Sequence, residues 1–343
     1  MKPERFQAIT ARYSQLRIAI IGDFCLDRYF EINPGLQETS IETKLPVHNI
    51  GNVRCQPGGA GTILNNLAAL GIGAICPIGF CGDDGEGFEL ERALGARPGV
   101  VMDHFIRTSA RRTFTYTKPL LMHKGKPPEE LSRLDIKNWA ATPPSLQNQL
   151  ADSALAALQV SNAAILLDQV DLPETGVVTK ALLETIAKTP PALMLADSRR
   201  GLRDFPPAVF KMNRAEFSAL IGAAPQLSMD QLKDGALALA RKNNRPVFIT
   251  LSEQGLLGAA PSGEVAHVAA LPVRGEIDIV GAGDAVSANL TAALAAGGTL
   301  EEALTLANAA ASIVIHQLGT TGTATVEQLR AICLDKPDQT PAG

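Results

Sequence analysis

The sequence predicts an α/β fold: a mainly parallel sheet covered by helices on both faces, with a small second sheet projecting from it. Two observations carry this. Short apolar runs alternate with longer amphipathic stretches, a rhythm that implies parallel strands joined by helical crossovers. Two segments break the rhythm and alternate polar with β-branched or aromatic residues, as strands with one wet face do.

In chain order, RIAIIGD (17–23) reads as a strand, ILNNLAALG (63–71) as a helix and AICPIGF (74–80) as a strand. AAILLD (163–168), PALMLAD (191–197) and PVFITL (246–251) are further strands, with a helix in TGVVTKALLETIAK (175–188) and another over about 284–297. Residues 26–56 and 110–123 are the irregular segments, read as a β-lid whose apolar face (Phe30, Ile32, Val47, Ile50, Phe114, Tyr116) needs cover. There is no internal repeat. The expected organisation is a single domain over 1–333 and a flexible tail over 334–343; 343 residues allow either about two average domains or one large open sheet, so length alone does not decide it.

Composition excludes several function classes. Thirty-one basic and 35 acidic residues are mixed along the chain for a net charge of −4, so nucleic acid and membrane surfaces are poor partners. An acidic protein that binds a polyanion must supply positive potential locally, from a few cations, a metal ion or helix-start amides. The five cysteines are odd in number and lack metal spacing, and the five histidines (His48, His104, His123, His267, His316) show none either. With no signal-peptide core near the start and no membrane-length apolar run, the expected location is the cytoplasm.

The stretch EIDIVGAGDAVSANLTAALAAGG (276–298) carries the strongest chemical signal. Gly281, Ala282 and Gly283 precede Asp284 and an alanine-rich helix. Small residues there let a phosphate oxygen approach several backbone N–H groups, and the helix start adds positive potential. The turn is either an anion hole with a carboxylate at its rim or a tight strand-to-helix turn whose glycines only permit the geometry. Asp23 and Asp27 in IGDFCLDRY (21–29) fall at the carboxyl edge of the first strand, as sugar ligands or as turn formers. QPGGAGTILNNLAALG (56–71) opens a helix with Gly58 and Gly59, which permit close backbone approach to a ligand, and IGFCGDDGEGFELERALG (78–95) reads as a structural loop before another helix. GKPP (125–128) is not a phosphate-binding loop, because the upstream glycine and following Ser/Thr are missing.

These motifs, with NRAE (213–216), occur in the order of the ribokinase-like sugar kinases, the carbohydrate kinase PfkB family, which the chain resembles over roughly residues 15–330. GDFCLDRY followed by TSIETKLPVHNI resembles the heptose-phosphate kinase branch more than ribokinase itself. The resemblance implies a three-layer α/β/α fold and transfer of the γ-phosphoryl group of ATP to a hydroxyl of a small sugar or sugar phosphate, with Mg2+ and, in some members, K+. By that resemblance Asp284 is the base, and Gly281, Ala282 and Gly283 frame the transferring group. Asp27, Gly58 and Gly59 hold the sugar, with Asp23 and Thr62 beside them. Asn213 and Glu216 act near magnesium and the phosphates, although the pair also fits a helix capping box. Thr250, Ser252, Gly255 and Asn308 fall at nucleotide contacts, and Asp278 with the stretch near Gly319 at a monovalent-cation site.

The chain departs from the pattern in three places. Thr62 stands where an Asn usually follows the paired glycines, with Asn65 and Asn66 nearby; Ser252 replaces a usual Gly or Arg; and LLDQVDLPE (166–174) lacks the S-D-Y-x-K-G of the heptose branch. The fused nucleotidyltransferase domain of some of that branch is not expected. Arg107, Arg111, Arg112 and Lys118 are a solvated strand face or, with Arg112 as the candidate ligand, contacts for a phosphate-bearing substrate. The expected partner is a second copy of the chain, docked through the lid. A nucleoside kinase of the same fold, or a catalytically weak sugar-binding regulatory protein, are the alternatives.

Overall fold

The strand Arg17–Gly22 has no polar side chain after its first residue, and it lies deep in a nine-stranded sheet. Its side chains alternate, Ile18 and Ile20 into one core and Ala19 and Ile21 into the other. Ala163–Asp168 divides the same way, Ile165 and Leu167 against Ala164 and Leu166. Strands covered on both faces need continuous apolar runs, which is why these segments were legible. In this computed structural model residues 1–334 are described; the expected tail lies outside them except for Leu334, which ends the helix Val326–Leu334.

The sheet runs Val265–Val268, Leu256–Ala259, Val247–Thr250, Val209–Asn213, Met194–Ser198, Ala163–Asp168, Arg17–Gly22, Ala74–Gly82, Phe105–Thr108. From Val247–Thr250 onward all neighbours are parallel, while the first two strands are antiparallel additions at the edge. Helices Ala60–Ala69, Ala282–Ala295 and Leu300–Ile315 cover one face, and Pro144–Val160, Lys180–Lys188 and Met229–Asn243 the other. The strand expected from residue 191 begins at Met194, beyond the paired prolines that cannot donate to a ladder. No helix among the described residues is long and apolar enough to cross a membrane.

A second sheet orders Leu134–Ile136, Thr115–Leu121, Phe24–Ile32 and Ile50–Gly59, with Glu129–Glu130 added on Thr115–Leu121. Both irregular segments contribute strands to it, and the strands within 129–136 extend it past the expected limit. Phe114 is a correction: it lies before the strand and packs on Phe80 of the main body, ring centroids 5.8 Å apart. Ile32 is buried as well; the large apolar residues left in solvent are Leu36, Ile41, Leu45, Ile50 and Val53 within 26–56, with Met122 and Leu134 on the neighbouring part of the second sheet.

Asp23 is the only residue between the main-sheet strand Arg17–Gly22 and the second-sheet strand Phe24–Ile32. It is 2% exposed, and its carboxylate accepts from the N–H groups of Gln169 (2.8 Å), Val170 (3.2 Å) and Val177 (2.7 Å). The corner between the sheets is therefore fastened to the loop after Ala163–Asp168.

Candidate active site

Gly281 enters the helix Ala282–Ala295 with φ +82°, a conformation that glycine adopts without strain. A Cβ there would also meet the Thr321 and Thr62 side chains at 3.3 and 3.4 Å. The turn is thus walled by Thr62, the departure from the family pattern. Asp284 follows in the first helical turn. Among the described residues the N–H groups of Gly283 and Asp284 have no acceptor, as expected for a helix start.

Behind the turn lies an ion pair that sequence reasoning missed. Lys211, on Val209–Asn213, sets its Nζ 2.6 Å from Asp197 Oδ2, and the same oxygen accepts from Ser287 Oγ at 3.1 Å. A Cβ on Gly283 would come 3.1 Å from Lys211 Nζ, so the ammonium rests against the turn. Burial raises the Asp284 carboxyl to about 7; Lys211 and Arg199 pull it down, while Asp197 and Asp27 push it up. Asp197 was read only as the end of the strand over 191–197, and Lys211 was assigned to no element; the available signal was a charge near the carboxyl end of an apolar strand.

On the second-sheet side, Asp27 pairs in register with Gln56 and Tyr116. Its carboxylate fills the space a Gly58 Cβ would occupy, 2.5 Å from Oδ2, which explains the need for glycine there. Burial raises Asp27 to about 6, opposed by Lys118, Arg133 and Arg199. Lys118 stands over the Tyr29 ring (5.5 Å) and Arg133 over Tyr116 (5.0 Å) while pairing with Asp135. Arg133 and Arg199 were also missed, since neither belongs to a motif or to the segments read as a lid.

The other arginines are spent elsewhere. Arg112 faces Asp84 (3.4 Å) and Glu86 (3.8 Å), Arg107 pairs with Glu91, and Arg111 donates to the carbonyls of Ala140, Ala141 and Thr175. Of the four considered on that segment, only Lys118 acts on Asp27. Asp23 likewise differs from its neighbour in motif: its oxygens serve three backbone amides in the interior, whereas the Asp27 carboxylate lies against Gly58 beside Lys118, Arg133 and Arg199.

On the opposite side of the turn a cleft of about 440 Å³ brings together Thr250, Ser252, Gly255 and Asn308 with Ala282 and Gly283. Its walls include Val273, Ile277, Ile279 and Ile315. Ser252 holds φ +52° and Asn308 is tied to the Ala269 carbonyl at 2.9 Å. Asn213 and Glu216 form the capping box of the helix Arg214–Ile221, Asn213 Oδ1 accepting from Glu216 N (2.9 Å) and Glu216 Oε2 from Asn213 N (2.7 Å). Burial also raises the Glu216 carboxyl, which feels Asp197, Lys211 and Arg199. Asp278 is half-buried, accepting from Val280 N through Oδ1 at 3.0 Å and donating its N–H to Ile315 O at 2.8 Å.

A sequence profile of the pfkB family of carbohydrate kinases matches residues 18–327. The bifunctional protein HldE of Azorhizobium caulinodans is 30% identical over 316 residues, covering 92% of this chain and 64% of that protein. HldE of Pseudomonas syringae pv. tomato is 31% identical over 329 residues, 94% of this chain and 64% of that protein. The chain spans less than two thirds of the length of these curated relatives. Among solved structures, Arabidopsis thaliana ribokinase complexed with ribose and ATP superposes with a TM-score of 0.69 at 18% identity, covering 94% of this chain and 99% of that one. Escherichia coli phosphofructokinase-2 gives 0.71 at 20%, with 93% and 98% covered. These structural likenesses agree on the ribokinase-like fold. The chain belongs to the pfkB family of carbohydrate kinases.

Proposed function

We propose that this cytoplasmic enzyme transfers the γ-phosphoryl group of ATP to a hydroxyl of a phosphorylated sugar, with Asp284 as the base. The observation that supports it most is the position of Asp284. It sits in the same turn as two unengaged amides, between an apolar cleft on one side and the Asp27 cluster on the other.

In this reading ATP lies in the cleft, its base between Val273, Ile277, Ile279 and Ile315, with its γ-phosphate toward Gly283. Asp27 binds sugar hydroxyls and orients one toward Asp284, which takes the proton as the hydroxyl oxygen meets phosphorus. In a loose transition state little nucleophilic push is needed, so positioning and charge stabilisation by the amides and Lys211 carry most of the rate. Magnesium, when bound, offsets phosphate charge. The residues suit it: Glu216 uses only Oε2 in its cap, leaving Oε1 to act through the metal's water shell. Asp278 and the loop at Gly319 are the corresponding place for K+.

Arg133 is matched by Asp135, so Lys118 and Arg199 beside the single Asp27 carboxylate leave one positive charge, which favours a substrate that already carries a phosphate. ADP release measured across sugars, sugar phosphates and nucleosides tests the reading. We expect turnover with sugar phosphates, and Lys118→Ala should raise their KM about tenfold or more while sparing the KM for ATP. Turnover with nucleosides alone would replace this reading by a nucleoside kinase, and none with any acceptor by a binding protein.

Glu216→Gln should raise the magnesium requirement at an almost unchanged melting temperature, because Gln also caps at this position. A lower melting temperature with unchanged kinetics would reduce Glu216 to its cap.

The chain is also proposed to form a homodimer through the exposed apolar residues Leu36, Ile41, Leu45, Ile50 and Val53 of the second-sheet segment. Light scattering at micromolar concentration should give twice the mass of one chain. A fully active monomer would contradict it.

A further inference from the structure

We propose that the Lys211–Asp197 pair is a positioning device that sets the pH at which Asp284 can act as base: Lys211 stands against the Gly281–Asp284 turn, and Asp197 holds it there. This rests on Asp284 being the base. The geometry is that of a built arrangement. Both side chains are about nine-tenths buried, 2.6 Å apart, on neighbouring parallel strands of the main sheet. Asp197 Oδ2 is shared with Ser287 Oγ, and that hydroxyl also reaches the Gly283 carbonyl at 3.2 Å. Ser287 Oγ has one proton to give, to Asp197 or to the Gly283 carbonyl, and Lys211 rests against Gly283, so the pair touches the first helical turn on both sides of Asp284. Burying two ions costs more than packing two apolar side chains of similar size, so stability alone is a poor reason for a pair at this spot.

The charged and titratable groups facing Asp284 come from three elements. Lys211 comes from Val209–Asn213, Asp197 and Arg199 from the end of Met194–Ser198, and Asp27 and Cys25 from Phe24–Ile32. Burial holds the Cys25 thiol neutral, and Asp27 and Arg199 oppose each other, which leaves Lys211 and Asp197 as the adjustable pair. Removing the lysine takes away a charge that favours the carboxylate. Removing the aspartate takes away one that disfavours it and frees the lysine. The two halves of one ion pair should thus act in opposite directions.

The test is the pH dependence of kcat/KM for wild type, Lys211→Met and Asp197→Asn, using magnesium, ATP and the best sugar phosphate from the acceptor panel. We expect an acid limb in wild type that moves up by about one unit in Lys211→Met and down in Asp197→Asn. Lys211→Arg, which keeps the charge, should return the limb toward wild type even if turnover is lower; it also serves where the Met variant fails to fold. A wild-type limb that neither Asp197→Asn nor the lysine variants displace, or that all displace the same way, overturns the proposal and leaves Asp284 as base. A wild-type profile with no acid limb overturns both.

Discussion

Asp284→Asn should leave the fold and ATP binding intact while turnover falls at least about a hundredfold, because general-base help is worth about 10²–10⁴ in rate. The amide keeps the shape of the carboxylate and its place in the first turn, so sugar affinity should change little. The wild-type protein should lose activity as pH falls through about 7, the value to which burial raises this carboxyl. The sign follows from the role: an acid with a raised value is protonated, and useless as a base, over the range below it. Steady-state kinetics of the two proteins at several pH values check both points, and an active Asn variant would remove the base assignment.

Asp23→Ala should lower stability more than any other single change discussed, by about 3 kcal/mol or more, since three interior N–H groups lose their acceptor at once. That corresponds to a melting temperature roughly 5 °C lower or more. Asparagine is no remedy, because its NH2 would face the donors of either Gln169 and Val170 or Val177. Thermal denaturation followed by circular dichroism measures the loss. An unchanged midpoint would show that the corner between the sheets is held by other contacts.

Asp23 and Asp27 also mark the limit of what the sequence disclosed. Four residues apart in one motif, they offer the same side chain, and only the fold spends one on backbone amides and leaves the other beside Lys118, Arg133 and Arg199. The parallel strands were legible because burial on both faces forces long apolar runs. Leu256–Ala259 and Val265–Val268 were not, since an antiparallel edge pair of four residues each leaves too short a pattern. The Gly281–Asp284 turn was legible because a helix start needing positive φ and close walls admits few residues. Lys211 and Asp197 were hidden for the opposite reason: a charge inside a strand looks like an irregularity until the strands are set side by side. The arginines of 107–112 stayed open between a solvated face and a binding cluster, because sequence does not show that Glu91, Asp84 or three carbonyls stand against them.

The capping box at Asn213 and Glu216 shows that a structural and a chemical reading need not exclude each other. One carboxylate oxygen closes the box and the other does not, so the cap would also orient Glu216 for the metal role proposed above.

Phosphorus NMR of the protein with ATP, magnesium and a sugar monophosphate tests the central claim most directly. The account predicts a new phosphate-ester resonance appearing in step with ADP, at a rate that collapses in Asp284→Asn. ADP accumulating with inorganic phosphate and no new ester, or AMP with pyrophosphate, would contradict it.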